Sequence, residues 1–360
     1  MLTPAPGSTS GAPGVSAPSG ALRRLHPGSF AAVMATGILS IDTHLLGPAW
    51  LSRALLAVAA TSFGALLVAT TARVACWPAT VLGDLRDPTS AFGFFTLVAG
   101  TNVLAVRLLE AGHPRSALAL AAFGGAVWLV LTYAIPLTVL LTPRAATAAR
   151  HVDAGWLLWV VATQSVAVVG ATLAVAEPSA GGVLADVAVS LWGIGLALYL
   201  LVTGVIVLGL LRAPPTPSSI SPSLWITMGA GAISVLAGGR ILELSSDIPV
   251  VRTTASLIDG LCFVLWAVGT WLIPFLLGLG LWRHAITRWP IDYEASLWSI
   301  VFPIGMYAAS SDTYAKAAGI AFLRRFSVVS LWCGVAALVV VSGLGLRRWV
   351  LRRRPAPAPR

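Results

Sequence analysis

The sequence contains few charged residues. Only 10% of its 360 residues are charged, and only 13 residues are acidic. A soluble domain of this length needs a far more charged surface to stay in solution. A bilayer reverses this requirement, because a charged side chain at the centre of the hydrocarbon costs several kcal/mol. With 57% hydrophobic residues and a mean hydropathy of +0.88, the composition indicates a membrane protein.

Cysteine and histidine are also scarce, and their positions argue against several kinds of site. The three cysteines lie in separate apolar segments without a CxxC pair, so we interpret them as packing residues. The five histidines lie at segment ends or in loops. An intramembrane enzyme needs His, Asp or Glu clustered at matched depth. We therefore predict that the protein is not an enzyme, with no catalytic residues, no metal ion and no cofactor.

The net charge of +10 does not indicate a nucleic-acid partner, because the basic residues lie between apolar segments and in the tail. Residues 1–25 are rich in Pro, Gly, Ser and Ala and lack the features of a signal peptide, which predicts a disordered N-terminal extension. Residues 26–346 hold the apolar segments. Residues 347–360 are predicted to form a basic cytoplasmic tail near anionic lipid headgroups.

A helical membrane span needs about 20 largely apolar residues. Ten segments are predicted to be spans: 28–46, 50–72, 89–108, 116–141, 155–176, 183–211, 223–242, 254–281, 295–312 and 326–346. The ninth is the weakest, because it is short and contains Pro303. With an even number of spans, most of the 23 basic residues fall on the side that holds both termini. The positive-inside rule therefore predicts that both termini are cytoplasmic.

The odd-numbered spans share small and mildly polar residues near their middles. They contain MATGILS (34–40), VAGTNVL (98–104), VATQSVA (161–167), MGAGAIS (228–234) and FPIGMYA (302–308). Such residues either allow close helix contacts or form a wall that faces water or a solute. Their recurrence in alternate spans favours the second reading. We therefore predict an all-α polytopic membrane protein, with ten transmembrane helices arranged as five helical hairpins around a central pore.

This pattern names candidate pore-lining residues. They are Thr36, Gly37, Gly100, Thr101, Asn102, Thr163, Gln164, Gly229, Gly231, Ser234, Pro303 and Gly305. Three basic residues near the outer ends of odd spans are candidates for an anion-attracting mouth, although helix capping or snorkelling is the alternative for each: Arg107, Arg240 and Lys316. No carboxylate falls clearly at a span centre, which favours passive permeation over tight coupling.

Four segments carry a family resemblance: HPGSFAAVMATGILSI (26–41), DLRDPTSAFGFFTLVAGTNVLA (84–105), GWLLWVVATQSVAVVGATLA (155–174) and LWSIVFPIGMYAAS (297–310). Together they resemble the tellurite-resistance/C4-dicarboxylate transporter family, which includes TehA-like proteins and slow-type anion channels. The resemblance covers residues 26–346. It implies a homotrimer of ten-helix protomers and a phenylalanine on the ninth helix that plugs the pore. That phenylalanine matches Phe302 here, and Phe30 and Phe94 are expected to share the constriction.

The predicted function is passive or weakly coupled transport of small anions across the cell membrane. The candidate solutes are C4-dicarboxylates such as malate, or chloride, nitrate, sulfite and tellurite-linked anions. The alternative is a proton-coupled dicarboxylate or sulfite carrier, for which His44 and Asp42 are the local candidate pair. A receptor or scaffold would leave the polar faces of the odd spans unexplained. The predicted partners are the anionic solute, membrane lipid and further copies of the chain.

Overall fold

The computed structural model describes residues 18–141, 153–177, 180–212 and 215–353, and no strand occurs within these ranges. Ten helices of at least 16 residues make up most of this described part. In chain order they are α1 (Ala31–Leu46), α2 (Ala49–Cys76), α3 (Phe95–Glu110), α4 (Pro114–Leu141), α5 (Leu158–Ala176), α6 (Gly181–Arg212), α7 (Trp225–Leu242), α8 (Pro249–Leu281), α9 (Trp298–Ala318) and α10 (Leu323–Arg353). Two shorter helices are Pro18–Arg23 and Pro78–Arg86.

Odd and even helices differ sharply in burial. In α1, α3, α5 and α7, taken with the turns before them, 67% to 94% of the most apolar stretch is buried. In α2, α4, α6, α8 and α10 the buried share is only 17% to 28%. The difference follows composition, because small residues suit close helix contacts while Leu, Val and Trp suit a lipid-facing surface. The odd helices are called the inner helices below, and the even ones the outer helices.

The five inner helices form a closed ring. Each contacts the next along the chain, and α9 contacts α1, which completes the circle. Each outer helix packs on the inner helix that precedes it, so the fold consists of five helical hairpins. Because every inner helix starts a hairpin, all five run in the same direction and begin at the same end of the ring. The line through the centre of this ring is called the axis.

Nine helices in the described part of the chain are long and apolar enough to cross a membrane. The remaining long helix is α9, which contains Pro303, Asp312 and Lys316. Most of α9 is buried among other helices, including Ser310, Asp312 and other polar residues. Since α9 faces protein rather than lipid, its composition does not have to match the hydrocarbon. The count of ten spans stays a prediction.

The predicted limits of the inner spans agree with the helices to within a few residues, with two exceptions. The helix α3 begins at Phe95 rather than near 89, and α9 extends to Ala318, beyond the predicted end at 312. The outer helices are longer than predicted at several ends. In particular, α8 already begins at Pro249, and α10 continues to Arg353, into the segment predicted as a tail. Residues 1–17, which make up most of the predicted N-terminal extension, lie outside the described residues, as do residues 354–360. Residues 18–23 of that extension form a short helix.

Candidate functional site

A vestibule opens at the end of the ring where the inner helices begin. One turn of 3-10 helix precedes each inner helix, and neighbouring turns contact one another. These turns are Pro27–Phe30, Ala91–Phe94, Ala154–Leu157, Pro222–Leu224 and Ala295–Leu297. The vestibule between them has a volume of about 220 Å³ and is lined by residues from all five hairpins. It is therefore the place where five helix N-termini come together.

The electrostatics of the vestibule are set mainly by backbone. The first turns of α1, α3, α5, α7 and α9 contain no acidic residue. Each helix N-terminus carries roughly half a positive charge from its free N–H groups. Two side chains use some of these donors: His26 Nδ1 accepts from Gly28 N at 3.0 Å, and Asp153 Oδ1 accepts from Gly155 N at 2.9 Å. Apart from the carboxylate of Asp153, the vestibule lining is neutral or basic.

A second, much narrower cavity lies on the axis toward the other end of the ring. Its volume is about 20 Å³, which suffices for roughly one water molecule. All five inner helices contribute to its lining, which is mostly aliphatic. The polar lining residues are Asn102, Ser165, Arg240 and Thr313. Asn102 Nδ2 donates to Ser165 Oγ at 2.9 Å, which ties α3 to α5 at this level. It is called the outer cavity below.

The same face of each inner helix lines both cavities. The lining residues recur at alternating spacings of three and four, which place side chains on one face of a helix. One further position on each helix, between the residues that line the two cavities, is assigned by the same spacing. We call the whole set the axial stripe. It comprises Ala31, Met34, Ile38, Ile41 and Leu45 on α1; Thr96, Ala99, Val103 and Val106 on α3; Leu158, Val161, Ser165 and Val168 on α5; Ile226, Gly229, Ile233, Leu236 and Arg240 on α7; and Ser299, Phe302, Met306, Ala309 and Thr313 on α9.

On each inner helix, the same spacing assigns one position between the lining residues of the two cavities. These five positions, called the middle layer below, are Met34, Ala99, Val161, Gly229 and Phe302. Phe302 is the one aromatic residue among these five positions, and only 3% of its surface is exposed. The layer therefore combines one large planar side chain with mostly small neighbours.

The two other phenylalanines expected at the constriction lie elsewhere. Phe30 packs edge-on against Phe63 of α2, with ring centroids 5.9 Å apart. Phe94 lines a small pocket together with Arg73 of α2. Both rings are therefore placed between an inner helix and an outer helix, away from the axial stripe.

Most of the polar residues singled out from the sequence also face away from the axis or bond within their own helix. The hydroxyls of Thr36, Thr101, Thr163 and Ser234 donate to carbonyls one turn earlier in the same helix. The amide of Gln164 donates to Trp192 O on α6 at 3.2 Å. Asn102 is the predicted polar residue that the structure brings to the outer cavity.

The predicted glycines lie at close contacts between helices. A Cβ added at Gly37 would approach Val103 Cγ1 to 2.8 Å, and one added at Gly305 would approach Ile38 Cγ2 to 2.8 Å. A Cβ at Gly229 would come within 2.8 Å of Pro303, and one at Gly231 within 3.2 Å of Tyr199, whereas one at Gly100 would meet its neighbours at an ordinary contact distance of 3.5 Å or more. These positions allow the ring to close tightly. Whether any of them also lines an open path stays a prediction.

The three basic residues expected at the outer mouth all have partners. Arg107 is buried and donates to Ser40 Oγ at 3.1 Å and Ser52 Oγ at 2.9 Å. Arg240 lines the outer cavity and pairs with two carboxylates, Glu110 at 3.4 Å and Glu243 at 3.1 Å. Lys316 Nζ lies 2.5 Å from Asp312 Oδ2. The outer end of the ring thus carries both signs of charge.

Sequence reasoning missed the aliphatic part of the axial stripe, and with it Ser165 and Thr313. The regular spacing was a usable signal, but aliphatic residues at helical spacing equally describe a lipid-facing surface. It also gave no sign that Asp42, named there with His44 as a candidate pair, is fully buried. Within the described ranges, no group of three or more His, Cys, Asp and Glu side chains is placed to hold a metal ion.

Comparison with known proteins identifies the family. The sequence model of the voltage-dependent anion channel family (SLAC1) matches residues 24–345. The chain belongs to this family. An uncharacterized transporter of Methanocaldococcus jannaschii is 25% identical over 322 residues, which cover 86% of this chain and 87% of that protein. An uncharacterized membrane protein of Mycobacterium tuberculosis is 38% identical over 143 residues, or 40% of this chain and 72% of that protein.

Membership in the voltage-dependent anion channel family confirms the resemblance predicted from the sequence. Together with the relative named as a transporter, it indicates a membrane protein that transports anions. It also points to a transporter or channel rather than an enzyme.

Proposed function

We propose that this protein lets small anions cross the cell membrane passively, or with weak coupling, along the axis of the inner helices. The observation that carries the proposal is the axial stripe, which occupies the same face of all five helices from the vestibule to the outer cavity. The proposed solutes are C4-dicarboxylates such as malate, and inorganic anions such as chloride, nitrate and sulfite. A contribution to tellurite resistance belongs to the same proposal.

The preference for anions is supported mainly at the vestibule end of the axis. At the vestibule, five helix N-termini favour negative charge, which the carboxylate of Asp153 offsets at one of them. At the other end, Arg240 and Lys316 are paired with carboxylates, so Arg107 is the member of the predicted basic mouth with which no carboxylate pairs among the described residues. Between the ends, Asn102 Nδ2 keeps a second N–H beyond the one that it donates to Ser165 Oγ. A neutral donor of this kind binds an anion weakly enough for it to leave again, as conduction requires.

We further propose that Phe302 is the gate. Its place in the helix supports this role, because Phe302 follows Ser299 of the vestibule lining by three residues and precedes Met306 of the outer-cavity lining by four. A buried aromatic ring excludes water from a narrow passage, and an anion that has lost its water cannot pass through apolar side chains. The small volume of the outer cavity fits a closed arrangement. Opening then requires the ring of Phe302 to leave the axis.

The test is anion flux through the purified full-length protein in liposomes. We expect Phe302→Ala to raise the flux of chloride, nitrate, sulfite or malate under an imposed voltage by at least roughly tenfold. This increase corresponds to about 1.4 kcal/mol removed from the barrier. The ranking of the four anions in the open variant then identifies the preferred solute.

The matched control is Phe63→Ala. Phe63 is a buried phenylalanine on α2 that packs against Phe30, away from the axial stripe. The Phe63→Ala variant shows what the loss of a buried ring does to the protein when the axial stripe is unchanged. We expect its anion flux to equal that of the wild type. Normal folding of Phe302→Ala with unchanged flux would remove Phe302 from the gate role.

Orientation and assembly complete the proposal. Both termini are proposed to be cytoplasmic, so that the vestibule faces the cytoplasm. Homotrimer formation through the outer helices is proposed from the family resemblance, with lipid on the remaining surface. The many exposed Leu, Val and Trp side chains of the outer helices support both kinds of contact.

A further inference from the structure

Asp42 is the most unusual charged residue in the described part of the chain. It lies on α1 beside Ile41 of the axial stripe, and its exposed fraction is 0%. Neither carboxylate oxygen has a hydrogen-bond partner among the described residues. A Cβ added at Gly305 would lie 3.4 Å from Asp42 Oδ2, so the carboxyl group rests against α9 three residues beyond Phe302.

An ionised carboxylate in this position would be very costly. Burying a charge without a partner costs several kcal/mol, whereas the neutral acid loses far less on burial. Two of the groups near enough to act on Asp42 electrostatically are themselves carboxylates, Glu110 and Asp312. Both would repel a negative charge at Asp42.

The cations around Asp42 are engaged elsewhere. Arg107 bonds to hydroxyl groups on the opposite side of α1, and both Lys316 and Arg324 pair with Asp312. The acidic, basic and histidine side chains on α1 and on the helices packed against it at this end are His44 on α1, Arg53 on α2, Arg107 and Glu110 on α3, Asp312 and Lys316 on α9, and Arg324 and Arg325 on α10; Tyr314 on α9 is also nearby, and its hydroxyl donates to Asp259. Among the described residues, none of these groups pairs with Asp42.

We propose that Asp42 is a proton-binding site, and that the bound proton holds α1 against α9 with Phe302 in the axis. The proposal rests on the proposed function, because it needs an axis that opens. When the proton leaves, the negative charge at Asp42 can be stabilised only if water reaches it, or if α1 and α9 move apart. The closed arrangement is therefore favoured at acidic pH and loses stability as the pH rises, so anion flux increases with pH.

The test compares Asp42→Asn with the wild type in liposomes over a range of pH. Asn has nearly the shape of the neutral acid and cannot ionise. For the wild type we expect flux to rise with pH, by no more than about tenfold per pH unit because one proton is involved. For Asp42→Asn we expect the flux to stay, at every pH, at the low level that the wild type shows in acidic buffer. Asp186→Asn, which removes an exposed carboxylate on α6, is expected to behave like the wild type.

A second measurement does not depend on flux. Infrared difference spectra between acidic and alkaline buffer should show the carbonyl band of a buried carboxylic acid in the wild type and in Asp186→Asn, but not in Asp42→Asn. The double variant Asp42→Asn with Phe302→Ala should conduct at all pH values, which shows that Asp42→Asn alone is closed rather than misfolded.

Several outcomes would overturn the proposal. Wild-type flux that does not respond to pH would do so, as would an Asp42→Asn variant that keeps the wild-type response or the infrared band. Uphill accumulation of anions driven by a pH gradient would assign the proton to coupled transport instead of closure. Failure of Phe302→Ala to conduct would reject the proposed gate, whereas the infrared band would still report on proton binding at Asp42.

Discussion

Gly229 on α7 lies against the ring of Pro303 on α9, so closely that a Cβ added at Gly229 would come within 2.8 Å of Pro303 Cγ. A proline ring is rigid and cannot turn aside as the end of a long side chain would. Gly229 belongs to the middle layer of the axial stripe, and Pro303 directly follows Phe302. The missing side chain at Gly229 therefore sets how closely two inner helices approach beside Phe302.

We expect Gly229→Ala to destabilise the protein by about 1–3 kcal/mol, because α7 and α9 must move apart to accept the methyl group. The measurement is the temperature at which purified full-length protein in detergent stops being monodisperse. Gly204→Ala on α6 is the control, since a Cβ there has no neighbour within 4 Å. That variant should be neutral or slightly more stable, because Ala is a better helix former than Gly. Equal midpoints for the two variants would contradict the tight contact at Gly229.

The arrangement of helices was largely predictable from the sequence, because the bilayer imposes a length and a composition on each span. Segment 223–242, for example, matches α7 at Trp225–Leu242 almost residue for residue. The alternation of small residues with Leu and Val distinguished the odd spans from the even ones, and α1, α3, α5 and α7 are the more deeply buried helices. That the odd helices surround a pore stays a prediction. Outer helices such as α10 exceed their apolar segments, because nothing in hydropathy stops a helix from continuing into a basic stretch.

The candidate site was harder to predict, because the direction in which a side chain points depends on tertiary contacts. Gln164 and Asn102 are both polar amides in the middle of an inner helix, yet Gln164 bonds to α6 while Asn102 lines the outer cavity. Glycine and threonine serve close helix packing as well as they serve a water-facing wall. The aliphatic members of the axial stripe look like lipid-facing residues until the ring of helices is known.

Arg107 offers a test of a buried cation. Its guanidinium reaches Ser40 and Ser52, whose hydroxyls also bond to each other's backbone, and no carboxylate pairs with it among the described residues. We expect Arg107→Gln to lower the stability by about 1–2 kcal/mol, because the shorter amide cannot reach both hydroxyls. Loss of the charge should also reduce anion flux at low ionic strength, and less so at high salt.

The control for Arg107 is Arg53→Gln, which removes an exposed cation from α2. Its stability should match the wild type, because exposed charges contribute little. Unchanged stability of Arg107→Gln would show that the two hydroxyl contacts are not maintained in solution. Stability is measured as the thermal midpoint in detergent, and the effect of charge as anion flux at two salt concentrations, on the same preparations.

Ser223 offers a test of the positive field at the vestibule. Ser223 lies in the 3-10 turn before α7 and lines the vestibule without a charge of its own. We expect Ser223→Asp to lower anion flux roughly two- to tenfold at low ionic strength, because one negative charge offsets the partial charges of the neighbouring helix N-termini. The reduction should shrink as salt rises, since the interaction is screened over about 10 Å at 0.1 M salt.

Ser218→Asp places the same charge on an exposed loop residue outside the vestibule lining, and its flux should stay at the wild-type level. If both variants reduced flux equally, the effect would come from overall charge, and the convergence of five helix N-termini would lose its role in selecting anions.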